Sequence, residues 1–249
     1  MKNFNKNKRS AFSLIELSIV LIIIGLLIAG VTGGASLIKS SELRSAMGEA
    51  RGYSVAVNAF YTQFDAYPGD FGTPISAGDT PGNEDSRIFY QVAGGTAEGH
   101  EAFRDLFTIG AITDNTLTYG AASAVSMAPG TNLPESKIKS AGWAFDNNGV
   151  TNVVVLTGTT SATVPDGTNA LNASGTTSIF TAVLTPTDAL SIDRKSDDGA
   201  SISGDVRAVG ANAAAASLAT TDCHANDGNG AYNVAEEATL CGLSFNVDI

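Results

Sequence analysis

The chain has 249 residues, with 14 basic and 25 acidic side chains and a formal charge of −11 at neutral pH. This length is enough for at least one domain with a buried core. A surface with this excess of carboxylates repels phosphate backbones, so we expect no direct binding of nucleic acid.

The chain begins with a basic segment, which an uncharged apolar run follows. The segment "MKNFNKNKRSA" contains Lys2, Lys6, Lys8 and Arg9 and no acid, whereas Leu17 to Ile38 contains no charged residue. As a helix, this run would be about 33 Å long, which is the thickness of a bilayer core. The positive-inside rule keeps the basic end cytoplasmic and sends the rest of the chain across the membrane.

Glu16 directly precedes this run and lies inside the apolar stretch from Ala11 to Gly30, where a charge is costly. A cleaved secretory signal has a shorter apolar core, and a plain membrane anchor gives no reason for the acid. Cleavage between Ala11 and Phe12 would give Glu16 a partner. It would create an α-amino group on Phe12, one helical turn away, for a pair within one chain or between neighbouring chains.

The basic leader, the small Ala11 and the run "FSLIELSIVLIIIGLLIAG" together resemble the class III signal of type IV pilins and type II secretion pseudopilins. The resemblance implies that a prepilin peptidase cuts before Phe12 and methylates its amine. It also implies that Glu16 helps the subunit to dock into a growing filament. The family usually has Gly before the cut, where this chain has Ala11. The implied partners are other pilin or pseudopilin subunits, the peptidase, the inner-membrane assembly platform and membrane lipid.

The predicted organisation is a leader over residues 1–11, a long helix over 12–64 and a head over 65–249, with a membrane span at about 14–38. Beyond the span, apolar residues recur at helical spacing, so the far half of the helix has one face that a head can cover. These residues are Leu43, Ala46, Ala50, Tyr53, Val57, Phe60 and Phe64, and the charged residues off the stripe are Glu42, Arg44, Glu49 and Arg51. Gly30, Gly33 and Gly34 predict a soft segment between the two halves.

The head reads as a mixture of short helices and strands. Asp65 to Ser86 is dense in Gly, Pro and Asp and predicts a loop. A short helix is predicted over Glu98 to Ile109, and "GWAFDNNGVTNVVVLTG", Gly142 to Gly158, predicts a hairpin that turns at Asn147 to Gly149. The polar stretch from Thr157 to Ser178 reads as an exposed insertion.

Further strands are predicted over Ile179 to Thr185 and in "SGDVRAVG", Ser203 to Gly210. Between them, Pro186 to Gly199 predicts a short helix with Pro in its first turn and a Gly stop. The fold class is therefore α+β: a long N-terminal helix, membrane-spanning in its first half, packed on a small antiparallel sheet, as in pilins.

Two short segments resemble blocks found in the heads of one broad group of pilin-like proteins. They are "YPGD", Tyr67 to Asp70, and "IDRKSDDG", Ile192 to Gly199, which matches the pattern IDxKxDDG. This resemblance supports the family and assigns no role to any single residue.

Cys223 and Cys241 are the two cysteines of the chain. In an oxidising periplasm we expect them to form a disulfide, which would stabilise the head by about 3 kcal/mol. Two separately buried thiols are the alternative.

Two acidic clusters are candidate calcium ligands. One contains Asp193, Asp197 and Asp198, and the other contains Asp222, Asn226, Asp227 and Asn229. Neither fits the EF-hand pattern, so we interpret both as surface turns and predict no metal site.

No arrangement of base, nucleophile and orienting group is present in the sequence. The two histidines, His100 and His224, are expected to be solvated. We therefore predict neither catalysis nor a cofactor.

The sequence favours a prepilin-like subunit that starts in the inner membrane with a periplasmic head and ends in a periplasmic or cell-surface filament. The alternative is a membrane-tethered periplasmic binding module that never polymerises, and an anchored enzyme ranks third. The sequence leaves open whether the filament is a pilus or a secretion pseudopilus. The length of the mature chain favours a minor subunit.

Overall fold

The computed structural model describes residues 13–76, 78–90, 98–113, 127–160, 180–210, 223–224 and 230–248. It contains three helices and four strands in these regions. The helices are α1 (Leu14–Phe64), α2 (Glu98–Thr108) and α3 (Pro186–Ser196), and the strands are β1 (Gly142–Asn147), β2 (Asn152–Thr157), β3 (Val206–Gly210) and β4 (Cys241–Asn246). The layout is α+β, as predicted.

The chain forms two compact units, Met1–Ser41 and Glu42–Ile249, and we call the second one the head unit. Helix α1 contributes its first part to one unit and its second part to the other. It runs through Gly30, Gly33 and Gly34 as regular helix, so the soft segment stays a prediction.

The four strands form one antiparallel sheet in the order β1-β2-β4-β3. The predicted hairpin is confirmed as β1-β2, which pairs Gly142 with Thr157 and Asn147 with Asn152. Asn147 is the last residue of β1, so the turn begins one residue later than predicted. Gly149 has a φ of 94° in the turn, a conformation that glycine adopts without strain.

The sheet is covered on both faces, which explains why β1 and β2 are buried along their whole length. One face packs against the second part of α1 and against α2 and α3. The side chains of this core include Leu43, Ala46, Ala50, Val57, Phe60, Phe103, Leu106, Trp143, Phe145, Leu156, Ile192 and Leu243. The other face is covered by a smaller group, with Tyr90, Met127, Leu133, Val153, Val155, Phe180 and Val209.

The predicted apolar stripe of α1 is confirmed within the head unit. Leu43, Ala46, Ala50, Val57 and Phe60 are buried there. Tyr53 and Phe64 are half-buried and pack against the same core.

The predicted strand over Ile179 to Thr185 is wrong. Its described residues cross the ends of β2 and β4 and form a single bridge, between Leu184 and Cys241. Thr185 is already the N-cap of α3, and Pro186 is the first helical residue, so the extended chain ends before a ladder can form.

Two expectations about exposure are also corrected. Thr157 and Thr160 are buried, so the stretch predicted to be an exposed insertion begins inside the core, and its residues 161–178 lie outside the described regions. His100 and His224 are buried rather than solvated. His100 is buried because the first turns of α2 are covered on all sides, and His224 because it pairs with Tyr232 beside Cys223.

Candidate functional site

The first part of α1 exposes a continuous apolar surface. Its large aliphatic side chains, from Leu14 to Ile38, are all about half exposed or more. Among the described residues, α1 is the one helix long and apolar enough to cross a membrane. A surface this apolar needs lipid or other apolar helices around it.

Two hydroxyl side chains within this run form hydrogen bonds to the preceding helical turn. The hydroxyl of Ser18 donates to the carbonyl of Ile15, and that of Thr32 donates to the carbonyl of Ile28. Such bonds pair these two donors within the helix, which lowers their cost in an apolar environment.

Glu16 takes part in an N-terminal cap of α1. Its Oε2 accepts a hydrogen bond of 2.9 Å from the backbone N–H of Ser13, and the Ser13 hydroxyl accepts one of 3.3 Å from the N–H of Ile15. This is the arrangement of a capping box, in which the first helical donors find side-chain acceptors. The role of Ser13 was not predicted, although the spacing Ser-x-x-Glu in the sequence is a signal for this cap. Ala11 and Phe12 lie outside the described residues.

In the head unit, Glu49 connects α1 to the sheet. Its Oε2 accepts hydrogen bonds from Trp143 Nε1 at 2.9 Å and from the Ser136 hydroxyl at 2.7 Å, and its Oε1 accepts one from the backbone N–H of Lys137. Its position beside the predicted apolar stripe did not indicate this role. Charge-assisted hydrogen bonds of this kind fix the position of α1 on β1.

The YPGD segment is held against α2 by buried carboxylates. The backbone N–H of Gly69 donates to Asp105 Oδ2 at 2.7 Å, and the carboxylate of Asp70 accepts from the N–H groups of Asp85 and Ser86. Gly69 has a φ of 81°, and a Cβ built on it would lie 2.1 Å from the carbonyl oxygen of Glu98. Glycine is therefore required at this close contact.

Burial changes the ionisation of α2. It raises the pKa of Glu98 to about 8 and that of Asp105 to about 7, although each accepts a backbone hydrogen bond that acts in the opposite direction. Burial, together with the Arg104 charge, lowers the pKa of His100 to about 4. No nucleophile that would make these groups a catalytic set lies beside them in the described contacts.

The segment Ile192 to Gly199 forms the end of α3 and a tight turn. Asp193 accepts hydrogen bonds from the Tyr232 hydroxyl and the N–H of Gly199, and Asp198 accepts from the N–H of Ala200. Oxygens of Asp193, Asp197 and Asp198 lie within 4.8 Å of one another. Their hydrogen bonds show that these carboxylates build the turn. Asp222, Asn226, Asp227 and Asn229 lie outside the described residues.

The predicted disulfide between Cys223 and Cys241 is confirmed, with the two Cα atoms 5.1 Å apart. Both residues are fully buried, and Cys241 is the first residue of β4. The bridge therefore ties the segment before β4 to the central part of the sheet.

We expect loss of this disulfide to destabilise the head but to leave leader removal unchanged. Replacing both cysteines with serine should lower the free energy of unfolding by about 3 kcal/mol, because the unfolded chain gains the freedom of an open loop. Denaturant unfolding followed by the fluorescence of Trp143, the single tryptophan, measures this change. A double variant as stable as the parent would show that the bridge does not constrain the head.

Comparison with known protein families gives a match to the N-terminal segment. Residues 6–32 match the family model described as the prokaryotic N-terminal methylation motif. Neither a curated protein nor a solved structure gives a match.

Proposed function

We propose that the chain is a prepilin-like subunit, cut between Ala11 and Phe12 by a prepilin peptidase and methylated on the new amine of Phe12. The support is the methylation signal of type IV pilins and pseudopilins over residues 6–32. Helix α1 then serves first as membrane anchor and later as part of a filament core. The observation that carries this proposal is the coincidence of the signal with an apolar helix surface that no described residue covers.

The proposal gives each part of the chain a place. The leader stays cytoplasmic, the head unit is on the far side of the inner membrane, and the mature chain moves into a type IV pilus or a secretion pseudopilus through contacts with other subunits and with the inner-membrane assembly platform. The activity is polymerisation, and the motif indicates a structural subunit rather than an enzyme. The size of the mature chain favours a minor subunit. Counting copies of this chain against the other subunits in purified filaments would test this.

N-terminal sequencing of the mature chain is the direct test. A methylated Phe12 as first residue supports the proposal, whereas an intact Met1 supports a membrane tether that never polymerises. The same mass measurement reports cleavage and methylation separately.

The residue before the cut should control processing. Ala11→Gly should be cut as well as the parent or faster, because glycine is the smaller residue that this signal usually has. Ala11→Leu should accumulate as uncut precursor, because a bulky side chain does not fit where a small one is required. An immunoblot that resolves precursor from mature chain measures both variants. Normal cleavage of the leucine variant would contradict the assigned site.

A further inference from the structure

The part of α1 in the head unit has an exposed face opposite its buried stripe. Arg44, Gly48, Arg51, Gly52 and Val55 follow one another along this face at helical spacing, and all are exposed. We call these five residues the cationic stripe. Its geometry is that of a shallow helix surface with two arginines, two positions without side chains and one aliphatic residue.

The fold of the head gives no reason for the two glycines of the cationic stripe. A Cβ built on Gly48 or on Gly52 meets no atom within 4 Å among the described residues. Glycine inside a helix is destabilising relative to alanine, so two of them one turn apart reduce the stability of the head. Close approach by the surface of another molecule is a physical reason to keep both positions bare.

The charged and apolar groups of the cationic stripe also lack partners among the described residues. Within the described regions, the guanidinium group of neither Arg44 nor Arg51 forms an ion pair or a hydrogen bond. Val55 is 69% exposed. The stripe thus offers two guanidinium groups and an aliphatic contact in a chain whose other surface charges are mostly negative.

A second surface of the head complements the stripe. Val234 is 52% exposed, and Glu236 and Glu237, which follow it closely, are exposed and form no ion pair with any described residue. We call these three residues the acidic patch. Both surfaces therefore combine an exposed valine with two like charges, and the charges have opposite sign.

We propose that the cationic stripe of one subunit binds the acidic patch of a second copy of this chain. This inference rests on the proposed function and adds to it a contact between heads. Because the two surfaces differ, the contact is heterologous, and repetition gives an open chain or a ring of copies rather than a two-fold dimer. It also requires that copies lie next to each other, which a sparse minor subunit would not do.

A steric test uses opposite effects on stability and assembly. Gly52→Ala should raise the unfolding temperature of the full-length chain in detergent, because alanine favours helix and its methyl group has free space. It should nevertheless lower the fraction of processed chain found in sheared filaments, and Gly52→Leu should lower it by about tenfold, equivalent to about 1.4 kcal/mol. Gln63→Leu, at an exposed position near the end of α1, is the control and should assemble normally. Normal assembly of Gly52→Leu would overturn the proposal.

A charge-exchange test identifies the partner. Arg44→Glu combined with Arg51→Glu should lower incorporation by about tenfold, and Glu236→Lys combined with Glu237→Lys should do the same, since each brings like charges together. The variant with all four changes should regain most of the loss, because the charges are complementary again between copies. No recovery would mean that the stripe binds a different subunit and would overturn the contact with a second copy.

Failure of this inference is distinguishable from failure of the proposed function. If the parent chain is uncut, or is cut and never enters filaments, the subunit assignment itself fails. If the parent assembles and every variant assembles equally well, the subunit assignment stands and the head contact is wrong.

Discussion

Replacing Glu16 with glutamine is expected to give a processed, membrane-resident protein that hardly enters filaments. Removing one member of a buried ion pair typically costs about 3 kcal/mol, which corresponds to a loss of about a hundredfold in incorporation. Insertion into the membrane should be no worse, because an uncharged side chain is cheaper in lipid. The fraction of mature chain in sheared filaments, compared with that in the membrane, measures the effect.

The capping box makes glutamine the informative substitution. Glutamine can accept the same hydrogen bond from Ser13 that Glu16 accepts, so Glu16→Gln keeps the helix cap and removes only the charge. Glu16→Ala removes both. Ser13→Ala removes the hydroxyl half of the cap and keeps the charge, so it is the matched control and should assemble nearly normally.

Each result assigns Glu16 a different role. Normal assembly of the glutamine variant with failure of the alanine variant would show that the side chain acts as a cap and would contradict a docking charge. An uncut glutamine variant would place Glu16 in recognition by the peptidase. A cut variant without filaments is the result that a pair with the Phe12 amine of a neighbour requires.

Elements with strong local periodicity could be predicted from the sequence. The 3.6-residue spacing from Leu43 to Phe60 identified the buried face of α1, and two apolar runs around Asn148 and Gly149 identified the β1-β2 hairpin. The helix face and the hairpin both depend on residues that are close in sequence, so the pattern in a single sequence is enough to predict them.

Strand β4 was missed although it carries a usable signal. Cys241, Leu243 and Phe245 alternate with smaller or polar residues, as in a strand with one apolar face. In contrast, the apolar run before Pro186 is predicted to be a strand, but its described residues form only one bridge, with Cys241 at the start of β4. Pairing partners distant in sequence decide such cases, and composition does not reveal them.

The buried charges of α2 could not be predicted at all. Glu98 and Asp105 are charged residues for which the sequence gives no sign of burial, and the loop from Asp65 to Tyr90 contacts both of them in the folded head. The backbone N–H groups of Gly69 and Phe89 supply their hydrogen bonds from that loop. A local pattern contains no information about such donors.

These buried carboxyls predict that the head loses stability as the pH rises. Burial raises the pKa of Glu98 to about 8, helped by the charges of Asp70 and Asp85, so the folded head holds a proton there that the unfolded chain has released. The stabilisation is fully present below the unfolded pKa, about 4.3, and is lost as the pH rises through the folded value. Asp105 acts in the same direction, with a folded pKa of about 7. His100 has the opposite effect on stability, because burial lowers its pKa. Between its folded pKa of about 4 and its unfolded value near 6.5, the stability of the head rises with pH.

Comparing Glu98→Gln with the parent isolates the contribution of Glu98, because His100 and Asp105 are present in both proteins. Glutamine keeps an acceptor for the N–H of Phe89, which donates to Glu98 Oε2 at 3.0 Å, and does not titrate. The stability of the variant relative to the parent should therefore increase by about 3 to 4 kcal/mol from pH 5 to pH 8. Denaturant unfolding of the full-length chain in detergent measures it, with the buried Trp143 as the probe.

The exposed Gln63→Leu, which removes no titrating group, is the control and should give a difference from the parent that does not change with pH. A Glu98→Gln variant whose relative stability is also flat from pH 5 to pH 8 would mean that Glu98 is ionised in the folded head. Its hydrogen bond to Phe89 would then outweigh its burial, and the charge would be held by the amides of the loop. A relative stability that rises only above pH 6.5 would instead show that Glu98 and Asp70 share the proton, because Asp70 is the acid whose charge raises the pKa of Glu98 most.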